Sequence, residues 1–124
     1  LEEQVVLSKN RVINALADQG SMVIVGSCGD YVLRDRERLL KVFLYGSIEQ
    51  RIDRIVNVYK DTVSLSPQKL KSMDKSRADY YRFFTSYKWG DWTNYDILFN
   101  TDLGLDPVTD MLEHIANVRF GGEA

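Results

Sequence analysis

Between Lys69 and Lys88 the chain carries six cationic side chains, Lys69, Lys71, Lys75, Arg77, Arg82 and Lys88, against two carboxylates, Asp74 and Asp79. A surplus of that kind attracts phosphate, and arginine grips it with two parallel hydrogen bonds. The same pattern also describes the solvated face of an ordinary surface helix. Tyr80, Tyr81, Phe83 and Phe84 interleave with these cations. They serve as packing residues or as platforms on which nucleobases stack. Arg51 and Arg54 follow an apolar run by a few residues. Ligands of parallel sheets gather at the carboxyl ends of strands, so two arginines there suit an anion. Pairing with Glu49 or Asp53 as plain surface charge is the other reading. Gly26-Ser27-Cys28-Gly29-Asp30 follows an earlier apolar run. Its glycines let backbone approach a ligand, and Asp30 can accept hydrogen bonds from a sugar or a base. A structural turn explains the same residues.

Other chemistries lack their residues. There is no G-x-x-x-x-G-K-[ST] phosphate loop, no G-x-S-x-G elbow and no H-E-x-x-H pair. His114 is the single histidine and Cys28 the single cysteine. A Cys and His metal site is therefore excluded by count. Cys28, with no histidine nearby, reads as a buried thiol and not a nucleophile.

The elements that must position these residues follow from periodicity. Val5, Val6, Val12, Ile13, Leu16 and Ala17 recur near helical spacing, so 2–17 reads as a helix stopped by Gly20. Met22-Val23-Ile24-Val25 and Lys41-Val42-Phe43-Leu44-Tyr45 are short, unbroken, β-branched runs and read as strands buried on both faces. The stretch from Gly26 to Leu40 suits a crossover, so these two are expected to be parallel. Ser47 and Gln50 have capping-box spacing and open a helix to about Tyr59, with Ile48, Ile52, Ile55 and Val56 on its apolar stripe. Asp61 to Leu65 reads as a connection. Ser66-Pro67 opens the basic helix, which runs to about Tyr87 and is broken by Trp89-Gly90-Asp91. Tyr95 to Asn100 is the third strand, and Asp106-Pro107 opens a last helix ended by Gly121-Gly122. Alternating buried strands and helices make an α/β fold with a parallel sheet. Three strands are few for that class, and missing ones would come from residues outside this stretch or from a second copy, which makes a homodimer one expectation.

Taken in order, these segments resemble the later part of the cytidylate kinase-like family of P-loop nucleoside monophosphate kinases. The resemblance rests on Val23-Ile24-Val25-Gly26 with Cys28, on Asp30-Tyr31-Val32-Leu33, and on Lys41-Val42-Phe43-Leu44-Tyr45 with Arg51-Ile52 and Arg54. It continues through Asp74-Lys75-Ser76-Arg77 with Tyr80-Tyr81, Lys88-Trp89-Gly90-Asp91, and Tyr95-Asp96-Ile97-Leu98 with Asn100. Each piece is unspecific alone; the combination of Asp-Lys-x-Arg, a Tyr pair and Lys-Trp-Gly-Asp is specific. It implies a three-layer kinase-like fold, incomplete at its amino-terminal side, with a helical lid at about 66–91. It implies ATP-dependent phosphoryl transfer to CMP, dCMP or a similar nucleoside monophosphate, with ATP and Mg²⁺ as the attendant groups. Lys75 and Arg77 match lid residues that approach the phosphates in transit, and are the catalytic candidates. Arg54 matches a basic position of the preceding helix. Arg54, Arg51, Asp30 and Ser27 are the candidates for binding nucleotide and phosphate.

The chain departs from that family in two respects. The family's first strand, glycine-rich loop and following helix are not among these 124 residues. And Ser27 stands where the family pattern has an arginine expected to hold the acceptor phosphate, a charge-assisted contact of roughly 1.5–3 kcal/mol. The chain as given is therefore expected not to turn over alone. A non-catalytic domain of the same fold, for nucleotide sensing or protein interaction, is the rival expectation.

Length and composition set the outer limits. At 124 residues one domain is expected, 44% of residues are hydrophobic and 27% charged, as in ordinary globular domains. Sixteen Lys and Arg against eighteen Asp and Glu leave a net charge of −2, which opposes a general nucleic-acid binder. A single cysteine fits a reducing cytoplasm, no apolar run is long enough for a membrane, and the amino-terminal residues have no signal-peptide character. The chain begins at Leu1 and not at Met, and is expected to be a piece of something longer.

Overall fold

A computed structural model of the chain describes residues 2–26, 28–58 and 66–121. The chain divides into two compact units, Leu1–Leu39 and Leu40–Ala124.

In the first unit, helix α1 spans Glu2–Gln19 and gives way at Gly20, whose φ of 148° suits glycine. Of the expected stripe only Ile13 is buried, while Val5, Val12 and Leu16 are exposed. Arg36 folds back on α1: its Nη2 donates to Asp18 Oδ1 at 2.8 Å and to Asn14 Oδ1 at 3.2 Å. The expected strand Met22–Val25 belongs to no sheet among the described residues. Ile24 turns inward, with its Cγ2 2.9 Å from where a Gly29 Cβ would stand. Val23 and Val25 alternate outward and are 91% and 90% exposed. A β-branched run becomes a buried strand only when neighbours complete its ladder, and among the described residues none does. The expected parallel pairing of Met22–Val25 with Lys41–Tyr45 is not seen among the described residues. The stretch between them holds a single helical turn, α2, Gly29–Val32, preceded by Cys28 in the left-handed conformation.

The second unit contains the sheet. Strand β1, Val42–Tyr45, pairs in parallel with β2, Ile97–Asn100, in the register Val42↔Ile97 to Tyr45↔Asn100. Among the described residues the sheet has two strands, where the sequence predicts three. Asp96 locks the entry to both: Lys41 N donates to Asp96 Oδ2 at 2.7 Å, and Asp96 N donates to Lys41 O at 2.8 Å. Phe43 lies edge-on to Trp89 at 5.1 Å and 5.0 Å from Tyr95. Gly90, at φ 83°, passes close under Phe43: a Cβ there would stand 3.3 Å from its ring. The Trp-Gly-Asp break thus packs β1 from one side.

Helix α3, Ile48–Asp53, starts on Ser47, whose Oγ accepts from Gln50 N at 3.2 Å. It widens into a π-helical turn over Arg54–Val58. Tyr59 and the connection Asp61–Leu65 lie outside the described residues. Helix α4, Pro67–Thr85, is capped by Ser66 Oγ accepting from Lys69 N at 3.1 Å and ends on left-handed Ser86. Leu70, Tyr81 and Thr85 are its buried residues, spaced so that they share one face. Helix α5, Leu105–Phe120, buries Val108 and leaves Met111 and Val118 exposed. Phe99 and Thr101 complete the buried set of this unit. Among the described residues no helix is long and apolar enough to cross a membrane.

Candidate functional site

Both strands run in the same direction, so their carboxyl ends lie side by side. There the chain makes two sharp exits. After β1, Gly46 is pressed against the exit of β2: an added Cβ would lie 2.5 Å from Thr101 Oγ1 and 3.0 Å from Asp102 Oδ1. Only glycine fits without movement. Thr101 Oγ1 donates to Tyr45 O at 3.0 Å, and Ser47 N donates to both oxygens of Asp102 at 3.0 and 3.2 Å. Asp102 N in turn donates to Asn100 Oδ1 at 3.0 Å. Arg54 reaches this edge from the π-helical turn, with Nη2 donating to Thr101 O at 3.1 Å and Nη1 3.4 Å from Thr101 Oγ1. A guanidinium is thus anchored to the carboxyl end of the sheet by its own backbone, in a region where parallel sheets hold ligands.

The second cluster joins α3 to α4. Arg51 donates end-on to Asp74, Nη1 to Oδ2 at 2.7 Å and Nη2 to Oδ1 at 2.8 Å. Both side chains are largely covered, 24% and 29% exposed. Arg77, one turn further along α4, brings Nη1 to 3.6 Å from Asp74 Oδ1. One carboxylate therefore serves two guanidinium groups. The hydrogen bond from Arg51 holds the Asp74 carboxyl below its ordinary value, partly offset by burial and reinforced by the Arg51 and Arg77 charges. The same bond raises Arg51.

That depression fixes the sign of a pH effect. A carboxyl lower in the folded than in the unfolded chain binds its proton later on acidification. Its stabilising contribution is complete above the ordinary 3.8 and is lost as pH falls through the depressed folded value. Urea midpoints measured from pH 6 down through this window should fall less steeply in Asp74→Asn than in the parent. Equal slopes would mean that the ion pair contributes nothing to folding.

Lys75 stands apart from this cluster. At 100° per residue it is about 140° round the helix from Leu70, while Asp74, Arg77 and Tyr81 lie within about 40° of it. Lys75 Nζ donates to Asp79 Oδ2 at 2.8 Å, and the pair is 77% and 65% exposed. The structure therefore separates these two cations of α4: Arg77 sits on the stripe of the buried residues, and Lys75 on the outer face. Arg51, Arg77 and Asp74 come together, and Arg54 holds the sheet edge. Asp30 is in the first turn of α2, in the other unit, and Ser27 lies outside the described residues. Cys28 is part-buried where the sequence reads a buried thiol, and burial, then the Asp30 charge, push its thiol up. Among the aromatics of α4, Tyr81 is buried core, whereas Phe83 is exposed and edge-on to Phe84 at 4.8 Å.

Three residues of these clusters escaped the sequence reading. Thr101 and Asp102 carry no pattern, because their partners Tyr45, Ser47 and Arg54 are far away in sequence. Asp74 is in the sequence a negative charge and the first residue of the Asp-Lys-x-Arg motif, three before Arg77; its bond to Arg51 has no local signal.

The sequence model of the cytidylate kinase-like family matches residues 1–103. The crystal structure of an uncharacterized protein from Eubacterium ventriosum ATCC 27560 is similar, with a TM-score of 0.81 and 26% identity, covering 95% of this chain and 75% of that one. No curated protein matches the chain.

Proposed function

The chain belongs to the cytidylate kinase-like family, and from this we propose that it is the acceptor-side and lid portion of a phosphotransferase that moves the γ-phosphoryl group of ATP onto CMP or a similar nucleoside monophosphate. The observation that carries this reading is the convergence of Arg51 and Arg77 on one largely covered carboxylate, a site already shaped for a two-oxygen anion. Arg54, anchored at the carboxyl ends of the parallel strands, supports it.

In the reaction an oxygen of the acceptor phosphate attacks the γ-phosphorus, and the bond to the β–γ bridging oxygen breaks, releasing ADP. Charge spreads over the equatorial oxygens, so the protein's task is positioning cations and excluding water. Arg77 faces the transferring group from α4, and Arg51 and Arg54 hold phosphate oxygens from below it. Lys75, about 160° round α4 from Arg77, adds positive charge from the outer face of the helix. Asp30 stays the candidate for sugar or base, and the sequence has Ser27, a hydroxyl, where the family pattern has an arginine for the acceptor phosphate.

Mg²⁺ would neutralise the donor phosphates in such a transfer. Among the described residues no three Asp, Glu, His or Cys side chains gather as a metal site. These residues do not by themselves form a seat for the ion, and no step is assigned through it. The pattern of a donor-phosphate loop is likewise absent from the 124 residues.

A coupled ADP-release assay of the full-length protein with CMP, dCMP, UMP and AMP tests the reading. Turnover is expected, fastest with CMP or dCMP, in keeping with a cytoplasmic nucleotide kinase. No turnover with any of the four overturns it in favour of a non-catalytic nucleotide-binding or interaction domain, a reading that Ser27 in the arginine position favours. A homodimer is a separate expectation; a strict monomer in solution mass measurements removes it.

A further inference from the structure

We propose that Asp74 is a built-in stand-in for the anion. Its carboxylate fills the fork of Arg51 and lies near Arg77, and an incoming phosphate obtains those arginines only by displacing it. This rests on the reading of Arg51 and Arg77 as phosphate-holding groups.

The geometry points to displacement and not to addition. Both terminal nitrogens of Arg51 are committed to the two oxygens of Asp74 at 2.7 and 2.8 Å. That is the edge with which a guanidinium takes a phosphate, and a carboxylate presents the same pair of acceptors. The Asp74 oxygen that accepts from Arg51 Nη2 is also the one 3.6 Å from Arg77. An anion bridging the two arginines would therefore occupy the volume that the carboxylate now holds.

The degree of burial makes the exchange practicable. A fully buried ion pair is costly to break, because one charge is left without water or partner. Here the Asp74 side chain is 29% exposed and the Arg51 side chain 24%. A rotation about the Asp74 side chain carries the carboxylate into solvent, while the phosphate replaces it on the arginines. One charge-assisted pair is exchanged for another. Because Arg51 is on α3 and Asp74 on α4, the exchange also undoes a tie between these helices, which couples occupancy of the site to the freedom of α4.

Titration of the chain with inorganic pyrophosphate at fixed ionic strength tests this. Asp74→Asn keeps the shape and removes the competitor, so it should bind pyrophosphate about 2- to 5-fold more tightly than the parent. Asp74→Glu, which retains a carboxylate, should stay near the parent value. Asp110→Asn on α5 changes the net charge equally and should leave the affinity within error. If Asp74→Asn binds no more tightly than the parent while Arg51→Gln weakens binding, the displacement proposal fails and the phosphate site stands. Equal gains in Asp74→Asn and Asp110→Asn also overturn it, since general charge then explains the change. If pyrophosphate does not bind, or binds regardless of Arg51→Gln, the phosphate reading fails and the proposal with it.

Discussion

Replacing Arg77 by alanine should slow ATP-to-CMP phosphoryl transfer by the full-length protein about 10²- to 10³-fold, the usual cost of removing one positioned charge-stabilising donor. The loss should appear mainly in kcat, because the charge Arg77 would meet develops in the transition state. Thermal stability should change little: the side chain is 56% exposed, and its ion pair with Asp74 is a long one of 3.6 Å within one helix. Lys75→Ala is the informative comparison. Lys75 lies on the outer face of α4, held by Asp79 at 2.8 Å, and should cost less than Arg77. A drop of under tenfold for Arg77→Ala removes it from the catalytic machinery. A larger loss for Lys75 than for Arg77 means that the outer face of α4, and not its inner stripe, meets the phosphates.

Leu70→Ala should be the most damaging single truncation for the fold. Leu70 is 2% exposed, the most covered side chain among the described residues. Removing three buried carbons typically costs 2–5 kcal/mol through lost transfer energy and the cavity left behind. Against a total stability of roughly 5–15 kcal/mol this is a large fraction. A urea titration should show it as a lower midpoint with an unchanged slope. Met73, one turn away and 39% exposed, should lose less than about 1 kcal/mol on the same truncation. The contrast also bears on the site. Asp74 and Arg77 follow Leu70 by four and seven residues, on the same stripe as Tyr81, so the packing of Leu70 sets the direction in which they face. If Leu70→Ala and Met73→Ala cost the same, α4 is not seated by its inner stripe.

The helices were legible from sequence because their signals are local. Ser66-Pro67 marks the start of α4 and Ser47 with Gln50 the start of α3, and helical spacing groups Leu70, Met73, Arg77, Tyr80, Tyr81 and Phe84 near one side, of which Leu70 and Tyr81 are buried while Met73 and Tyr80 are exposed. The runs Val42–Tyr45 and Ile97–Asn100 were also recognisable as strands, from β-branched and aromatic content alone. Met22–Val25 had the same composition and is not a strand, since a strand is completed by its neighbours' hydrogen bonds and these are not written in the segment itself. Sequence also marked out the cations of α4 and the arginines after β1, because charge and spacing are properties of the chain. What each cation holds is a property of the folded molecule. Arg51 meets Asp74 across 23 residues and Arg54 meets Thr101 across 47, and separations of that size carry no periodicity to read. Side-chain type and local rhythm are encoded residue by residue; pairing is decided only when helices and strands pack and bring distant groups within hydrogen-bonding range.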